Sequence, residues 1–219
     1  MSQGSPSSRR AFLATFGILP LIAAGQARAQ QRARAGYEYR LIEPQPVSSP
    51  DRVEVVELFW YGCPFCYQLQ GPLEGWLKRK PDDVVLRRIP AIFRESWVPH
   101  ARLYYTLEAL GAVPRLHQAV YRAVHEERLS LNSADATGEW AAQNGIESAR
   151  WLTAYNAPEV ERSVDDSRRF TRSYQIQGTP SLIVDGRFLT SSGMSETVAG
   201  VIPILDDLIR LAREQRPAR

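Results

Sequence analysis

Cysteine is scarce in this sequence: only Cys63 and Cys66 occur among 219 residues. That number excludes a small domain held together by several disulfides. A structural zinc site needs about four protein ligands, and the three histidines of the chain do not complete one beside the cysteine pair. Two residues separate the cysteines, and closing so short a loop removes little entropy from the unfolded chain. The pattern therefore favours a redox-active pair over a zinc site or an inert structural disulfide.

An excess of charge of one sign is also absent once the N-terminus is set apart. The whole chain has 27 basic and 24 acidic residues, and its sequence pI is about 9.0. Residues 1–29 contain Arg9, Arg10 and Arg28 but no acidic residue, so the rest of the chain carries equal numbers of each sign. The excess of basic residues therefore lies in the N-terminal segment, and we expect no nucleic-acid partner.

No apolar run is long enough for a comfortable membrane span, which needs about 20 residues. The apolar run from Ala11 to Ala24 follows two arginines and contains Pro20, and Ala27-Arg28-Ala29 follows it. These are the three parts of a secretory signal, so residues 1–29 are predicted to be a cleaved signal peptide. Ala33-Arg34-Ala35 offers a second cleavage site, and an uncleaved N-terminal anchor is the alternative.

The arginine pair also bears on the export route. Ser8-Arg9-Arg10-Ala11-Phe12-Leu13 is similar to the twin-arginine signal of bacteria, while a general secretory leader can carry two adjacent arginines by chance. The sequence leaves both routes open. Either one predicts a bacterial envelope compartment, and we expect the periplasm.

Hydrophobic patterning predicts an α/β fold. Val53–Trp60 is nearly continuously apolar, as in a central strand buried on both faces, and is followed by a helix from Pro64 and a strand at Val84–Ile89. About 75 mainly helical residues then precede a hairpin at Asp185-Gly186, and a final helix is predicted over Met194–Ala212. We predict a first α/β portion over 37–94, an inserted helical domain over 95–172 and a second α/β portion over 173–214.

The cysteine pair lies where the central strand passes into the first helix. Cys63 is predicted at the helix N-terminus, where unpaired N–H groups and the helix dipole stabilise a thiolate. Pro64 suits the first helical position, because an N–H at that position has no partner within the helix and its absence costs nothing. Cys66 lies one turn further in. We therefore predict that Cys63 is the exposed nucleophile and Cys66 the resolving thiol.

The segments from Glu57 to Cys66 and from Gln177 to Gly186 resemble the DsbA family of periplasmic thiol:disulfide interchange proteins. Glu57-Leu58-Phe59-Trp60-Tyr61-Gly62-Cys63-Pro64-Phe65-Cys66 is similar to the family's active-site segment. Gln177-Gly178-Thr179-Pro180-Ser181-Leu182-Ile183-Val184-Asp185-Gly186 is similar to its second signature. The resemblance implies a thioredoxin fold with an inserted helical domain. It also implies an oxidase that donates the Cys63–Cys66 disulfide to newly exported, unfolded proteins.

The resemblance assigns roles to further residues. Thr179-Pro180 matches the cis-proline loop, which faces the active-site cysteine and offers backbone groups to substrate. Pro64 and Phe65 are predicted to bind substrate as well. Glu57 matches a buried acid that helps to move the proton of Cys66; the alternative is an exposed strand position. Arg88 falls near the family's basic partner for that acid, although adjacent Arg87 leaves the register open, since strand alternation sends the two to opposite faces.

The resemblance also implies partners and leaves one property open. We expect a monomer that is reoxidised by a quinone-linked membrane oxidase of the DsbB type, with no metal and no cofactor beyond the Cys63–Cys66 disulfide. Phe65 stands where the best-known family pattern has histidine, and it cannot add positive charge or a hydrogen-bond donor to the thiolate of Cys63. The oxidising strength, the breadth of the client range, a reductase or isomerase activity, and a chaperone-like binding role stay open.

Overall fold

The computed structural model describes Met1 and residues 33–216. Apart from Met1, the predicted signal peptide lies outside the described residues. No helix within residues 33–216 is both long enough and apolar enough to cross a bilayer.

A five-stranded mixed sheet organises residues 40–191. Its strands are β1 (Arg40–Leu41), β2 (Val53–Phe59), β3 (Val84–Pro90), β4 (Ser181–Val184) and β5 (Phe188–Ser191). The order across the sheet is β1-β5-β4-β2-β3; β2 and β3 are parallel and the other pairs are antiparallel. Strand β2, which precedes the cysteine pair, therefore lies inside the sheet, between β4 and β3.

All seven residues of β2 are buried, as the apolar run predicts. On one face Val53 and Val55 pack in a cluster with Leu69 and Leu73. Val56 and Leu58 belong to a second cluster on the other face, with Tyr174, Ile176 and Ile183 among its members. Both faces of β2 are therefore packed, and the cysteine pair follows directly after this buried strand.

Seven α-helices accompany the sheet within the described residues. They are α1 (Pro64–Leu77), α2 (Val98–Ala109), α3 (Val113–His125), α4 (Ala134–Gln143), α5 (Ser148–Tyr155), α6 (Pro158–Ser173) and α7 (Val201–Gln215). Helices α2–α6 all occur between β3 and β4, which confirms the predicted fold class with a helical insertion. The exact domain limits stay predictions.

Two elements differ from the sequence-based prediction. The α/β portion predicted from residue 37 has its first strand only at Arg40–Leu41. A turn closed by the Gly36 N–H and the Tyr39 carbonyl, 2.7 Å apart, precedes that strand. The predicted helix from Met194 begins only at Val201. Pro203 has no N–H and therefore suits a first helical turn, so the helix begins just before it.

Candidate active site

The cysteine pair occupies the predicted junction between β2 and α1. Cys63 is the N-cap residue of α1 with extended backbone dihedrals, φ −88° and ψ 119°, and Pro64 is the first helical residue. Cys66 lies in the first turn and is fully buried, whereas Cys63 is 7% exposed. Cys63 is thus the more accessible sulfur, although it is less exposed than the sequence suggested, because the Thr179 loop lies against it.

The surroundings of Cys63 stabilise its thiolate. A hydrogen bond from the Cys66 thiol is the largest influence, and together with the Thr179 side chain and the backbone N–H groups of Phe65 and Cys66 it lowers the Cys63 pKa to about 5. Burial opposes this shift. Because every stabilising donor comes from the first helical turn or the Thr179 loop, the low pKa requires no histidine at position 65.

Cys66 has the opposite character. Burial raises the pKa of its thiol well above the ordinary value, and the hydrogen bond that it makes with Cys63 raises it further. Neutral Cys66 can therefore donate to a Cys63 thiolate at neutral pH. The two thiols are chemically distinct although only one helical turn separates them.

The second signature meets the first in space. The Thr179–Pro180 peptide bond is cis, as the resemblance implies. The Thr179 backbone carbonyl lies 3.2 Å from the Cys63 sulfur, and this contact joins residues 116 positions apart in the chain. The predicted substrate-binding residues Thr179 and Pro180 thus stand directly beside the predicted nucleophile; their role in binding stays a prediction.

Glu57 is fully buried in β2, which rules out the exposed alternative. Its Oε2 accepts a hydrogen bond from Arg88 Nε at 3.0 Å, and the two residues are paired in the register of β2 and β3. Arg87 instead lies over the Phe170 ring, 4.7 Å from its centroid, so the two arginines do take opposite faces. Burial raises the Glu57 pKa, and Arg88 opposes that rise.

Gln70 is a site residue that the sequence reasoning missed. Its buried amide nitrogen donates to Glu57 Oε1 and to the Cys66 carbonyl, at 3.2 Å in both cases. Gln70 therefore links the buried acid to the helical turn that carries Cys66. The sequence could have indicated this role, because Gln70 lies four residues after Cys66 and residues i and i+4 share a helix face.

Aromatic residues enclose the inner side of the site. The Tyr61 hydroxyl is 2.9 Å from His117 Nδ1, and Tyr121 packs edge-on against the Tyr61 ring with centroids 5.0 Å apart. Burial lowers the His117 pKa well below its ordinary value, so this histidine is neutral. The aromatic packing excludes water from Cys66 and contributes to the high pKa of its thiol.

On the outer side, Phe65 is 52% exposed. It lines an open groove of about 470 Å³ together with Thr179, Pro180 and Met194. Near Cys63, Trp60 stacks on Trp97 with ring centroids 4.1 Å apart. The predicted substrate-binding residue Pro64 is exposed as well. An apolar surface of this kind beside a reactive sulfur suits an unfolded peptide.

Most of the chain matches a known protein family. The family model described as a DSBA-like thioredoxin domain matches residues 54–202. The chain belongs to that family. This segment holds both cysteines, Glu57 and the cis-proline loop, and it runs through the helical insertion into the start of α7.

Individual family members agree over most of the chain. The chain is 32% identical over 198 residues to the thiol:disulfide interchange protein DsbA of Burkholderia cepacia, covering 89% of this chain and 93% of that protein. It is 36% identical over 185 residues to the protein of the same name from Bordetella pertussis, covering 84% and 88%. A crystal structure of DsbA from Pseudomonas aeruginosa superimposes with a TM-score of 0.79 at 32% identity, covering 83% of this chain and 95% of the other.

Proposed function

We propose that this protein is a thiol:disulfide oxidase that introduces disulfides into exported proteins. In the first step a client thiolate attacks the Cys63 sulfur of the Cys63–Cys66 disulfide. A client–Cys63 disulfide forms, the Cys63–Cys66 bond breaks, and Cys66 leaves with the electron pair and takes up a proton. The difference in exposure between the two sulfurs supports attack at Cys63 rather than at Cys66.

In the second step another client thiolate attacks the client sulfur of the mixed disulfide. The client disulfide forms and Cys63 leaves as a thiolate, so that two electrons have passed from the client to the protein. The low pKa of Cys63 is the observation that carries the proposal, because a thiolate of low basicity is a good leaving group. The same stabilisation favours the reduced protein and hence the oxidising direction.

Glu57 and Gln70 are proposed to serve Cys66. A buried sulfur whose pKa is high has to gain a proton as it leaves and lose it again on reoxidation. Glu57 has a raised pKa and connects through Gln70 to the Cys66 backbone, which suits it to exchange that proton through a small displacement or an intervening water.

We also propose a periplasmic location and a quinone-linked membrane oxidase as the reoxidising partner, to whose quinone the two electrons pass. Cleavage after Ala29 is favoured over cleavage after Ala35, because Ala33 contacts the folded domain. The Ala33 N–H donates to Asp207 Oδ2 at 2.8 Å, and Arg34 pairs with Glu38 at 2.8 Å. Cleavage after Ala35 would remove these contacts.

The reduction potential of the Cys63–Cys66 pair tests the oxidising direction, by equilibration of the mature protein with glutathione buffers. We expect a potential well above the roughly −270 mV of reducing thioredoxins. A potential near that of thioredoxin would instead indicate an envelope reductase or a partner in isomerisation.

The variant Cys63→Ser separates catalysis from binding. We expect it to lose disulfide transfer to a reduced, unfolded client completely. If the variant promoted refolding of that client as well as the wild type does, the protein would act as a chaperone-like binder.

A further inference from the structure

The groove beside Cys63 contains a single charge at a defined place. Arg40 of β1 is the only charged residue that lines it within the described part of the chain, whereas Phe65, Pro180, Leu189 and Met194 are apolar. The rest of the lining is small or polar and uncharged. A peptide bound here therefore meets one positive charge and otherwise neutral surface.

Arg40 is held in place without being neutralised. Its guanidinium donates a hydrogen bond to the backbone carbonyl of Gln175, which follows α6. Among the ion pairs formed by residues 33–216, none involves Arg40, although neighbouring arginines such as Arg34 and Arg187 each face a carboxylate. A carbonyl carries only a partial charge, so the guanidinium keeps its net charge and spare donors for a ligand.

The strand order gives the distance between Arg40 and Pro180, whose neighbour Thr179 contacts the Cys63 sulfur. Arg40 pairs with Leu189 of β5, and Leu189 pairs with Ile183 of β4, so Arg40 lies two strand spacings, roughly 10 Å, from Ile183. Pro180 lies three residues before Ile183, which is roughly another 10 Å along the strand direction. The diagonal is therefore roughly 14 Å between Cα atoms, and the long arginine side chain can shorten it by several ångströms.

An extended peptide advances about 3.3 Å per residue. A peptide whose cysteine reaches Cys63 beside Pro180 can therefore place a side chain near Arg40 from about two to four residues away. A carboxylate there would meet the unpaired guanidinium, whereas a lysine would meet a like charge.

We propose that Arg40 is a specificity-determining residue that favours client segments with Asp or Glu two to four residues from the reacting cysteine. The inference rests on the proposed disulfide-transfer function and adds the chemical class of client that the groove prefers. Arg40 acts on recognition alone and takes no part in the thiol chemistry.

Rapid-mixing rates of disulfide transfer test the proposal. The oxidised mature protein is mixed with reduced dithiol peptides in which one position, scanned two to four residues to either side of the first cysteine, is Asp, Asn or Lys. We expect at least one position where Asp reacts roughly two- to fivefold faster than Asn, with Lys slower still. The preference should shrink as salt is raised, because exposed charges are screened.

Variants assign the preference to Arg40. Arg40→Gln should abolish it, Arg40→Lys should retain most of it, and Arg40→Glu should invert it. Lys78→Gln is the matched control: it removes one exposed positive charge at the far end of α1 and should leave the preference unchanged.

The outcomes distinguish this inference from the function on which it depends. If the protein oxidised none of the peptides, the proposed function would be overturned and this inference with it. Oxidation of all peptides at equal rates would overturn the role of Arg40 and leave the function intact. A preference for Asp that survives in Arg40→Gln would equally refute it.

Discussion

The hydrogen bond between the two cysteines offers the sharpest test of the site. The Cys66 thiol is the largest influence that lowers the Cys63 pKa to about 5. Cys66→Ala removes this donor, whereas Cys66→Ser replaces it with a hydroxyl at nearly the same place. Each variant also leaves Cys63 as the only thiol of the chain, so its titration is free of overlap.

The size of the effect follows from the strength of a hydrogen bond to a charged group, about 1.5–3 kcal/mol. Since one pKa unit corresponds to about 1.4 kcal/mol, loss of the donor should raise the Cys63 pKa by roughly one to two units. The lower end is the better expectation, because the Cys63 sulfur lies near solvent, which weakens its electrostatic interactions. Cys66→Ser should titrate close to the wild-type value.

The ionisation of Cys63 is followed from acid to alkaline pH. It is read either from thiolate absorbance in the far ultraviolet or from the rate of alkylation by iodoacetamide. The expected result is a Cys66→Ala curve displaced to higher pH relative to Cys66→Ser. Coincident curves would contradict a role for the Cys66 hydrogen bond in lowering the Cys63 pKa. They would mean that the first-turn N–H groups and Thr179 lower the pKa without help from Cys66.

Two further predictions concern stability. In the reduced, folded protein the Cys63 pKa is about 5, against an ordinary value of 9.0. The Cys63 thiolate therefore contributes fully to the free energy of unfolding above pH 9, and this contribution is lost as the pH falls through 5. Urea unfolding should be measured for the reduced wild type and for Cys63→Ser. The difference between their free energies of unfolding should grow by about 2–3 kcal/mol from pH 4 to pH 9, after allowance for solvent screening. A difference that does not change with pH would contradict the low pKa of Cys63. Gln70→Leu should lower the free energy of unfolding by about 1–3 kcal/mol because it leaves buried Glu57 Oε1 without its donor. Gln68→Leu, on the exposed side of the same helix, is the control, and equal costs for the two variants would show that the Gln70 hydrogen bonds contribute little.

Local patterns predicted much of the fold. The burial of β2 follows from its continuous apolar character, and the N-cap position of Cys63 follows from Pro64 at the next residue. The hairpin around Asp185-Gly186 forms where its turn sequence predicted it. Local patterning was wrong at Met194–Gly200, where short 3-10 turns replace the helix, because a helical spacing of apolar residues does not by itself locate a first turn.

The chemistry of the site depended on contacts between distant segments. The position of the cysteine pair at the start of a helix after a buried strand was predictable from local sequence, because strand, proline and helix are consecutive in the chain. Three features follow only from the folded chain: Thr179 faces Cys63, Arg88 rather than Arg87 pairs with Glu57, and Arg40 borders the groove. Thr179 lies 116 positions from Cys63, Arg88 lies 31 positions from Glu57, and Arg40 lies 135 positions from Gln175, whose carbonyl it contacts. These contacts depend on strand order and register, which the packing of the whole sheet determines and no local pattern encodes.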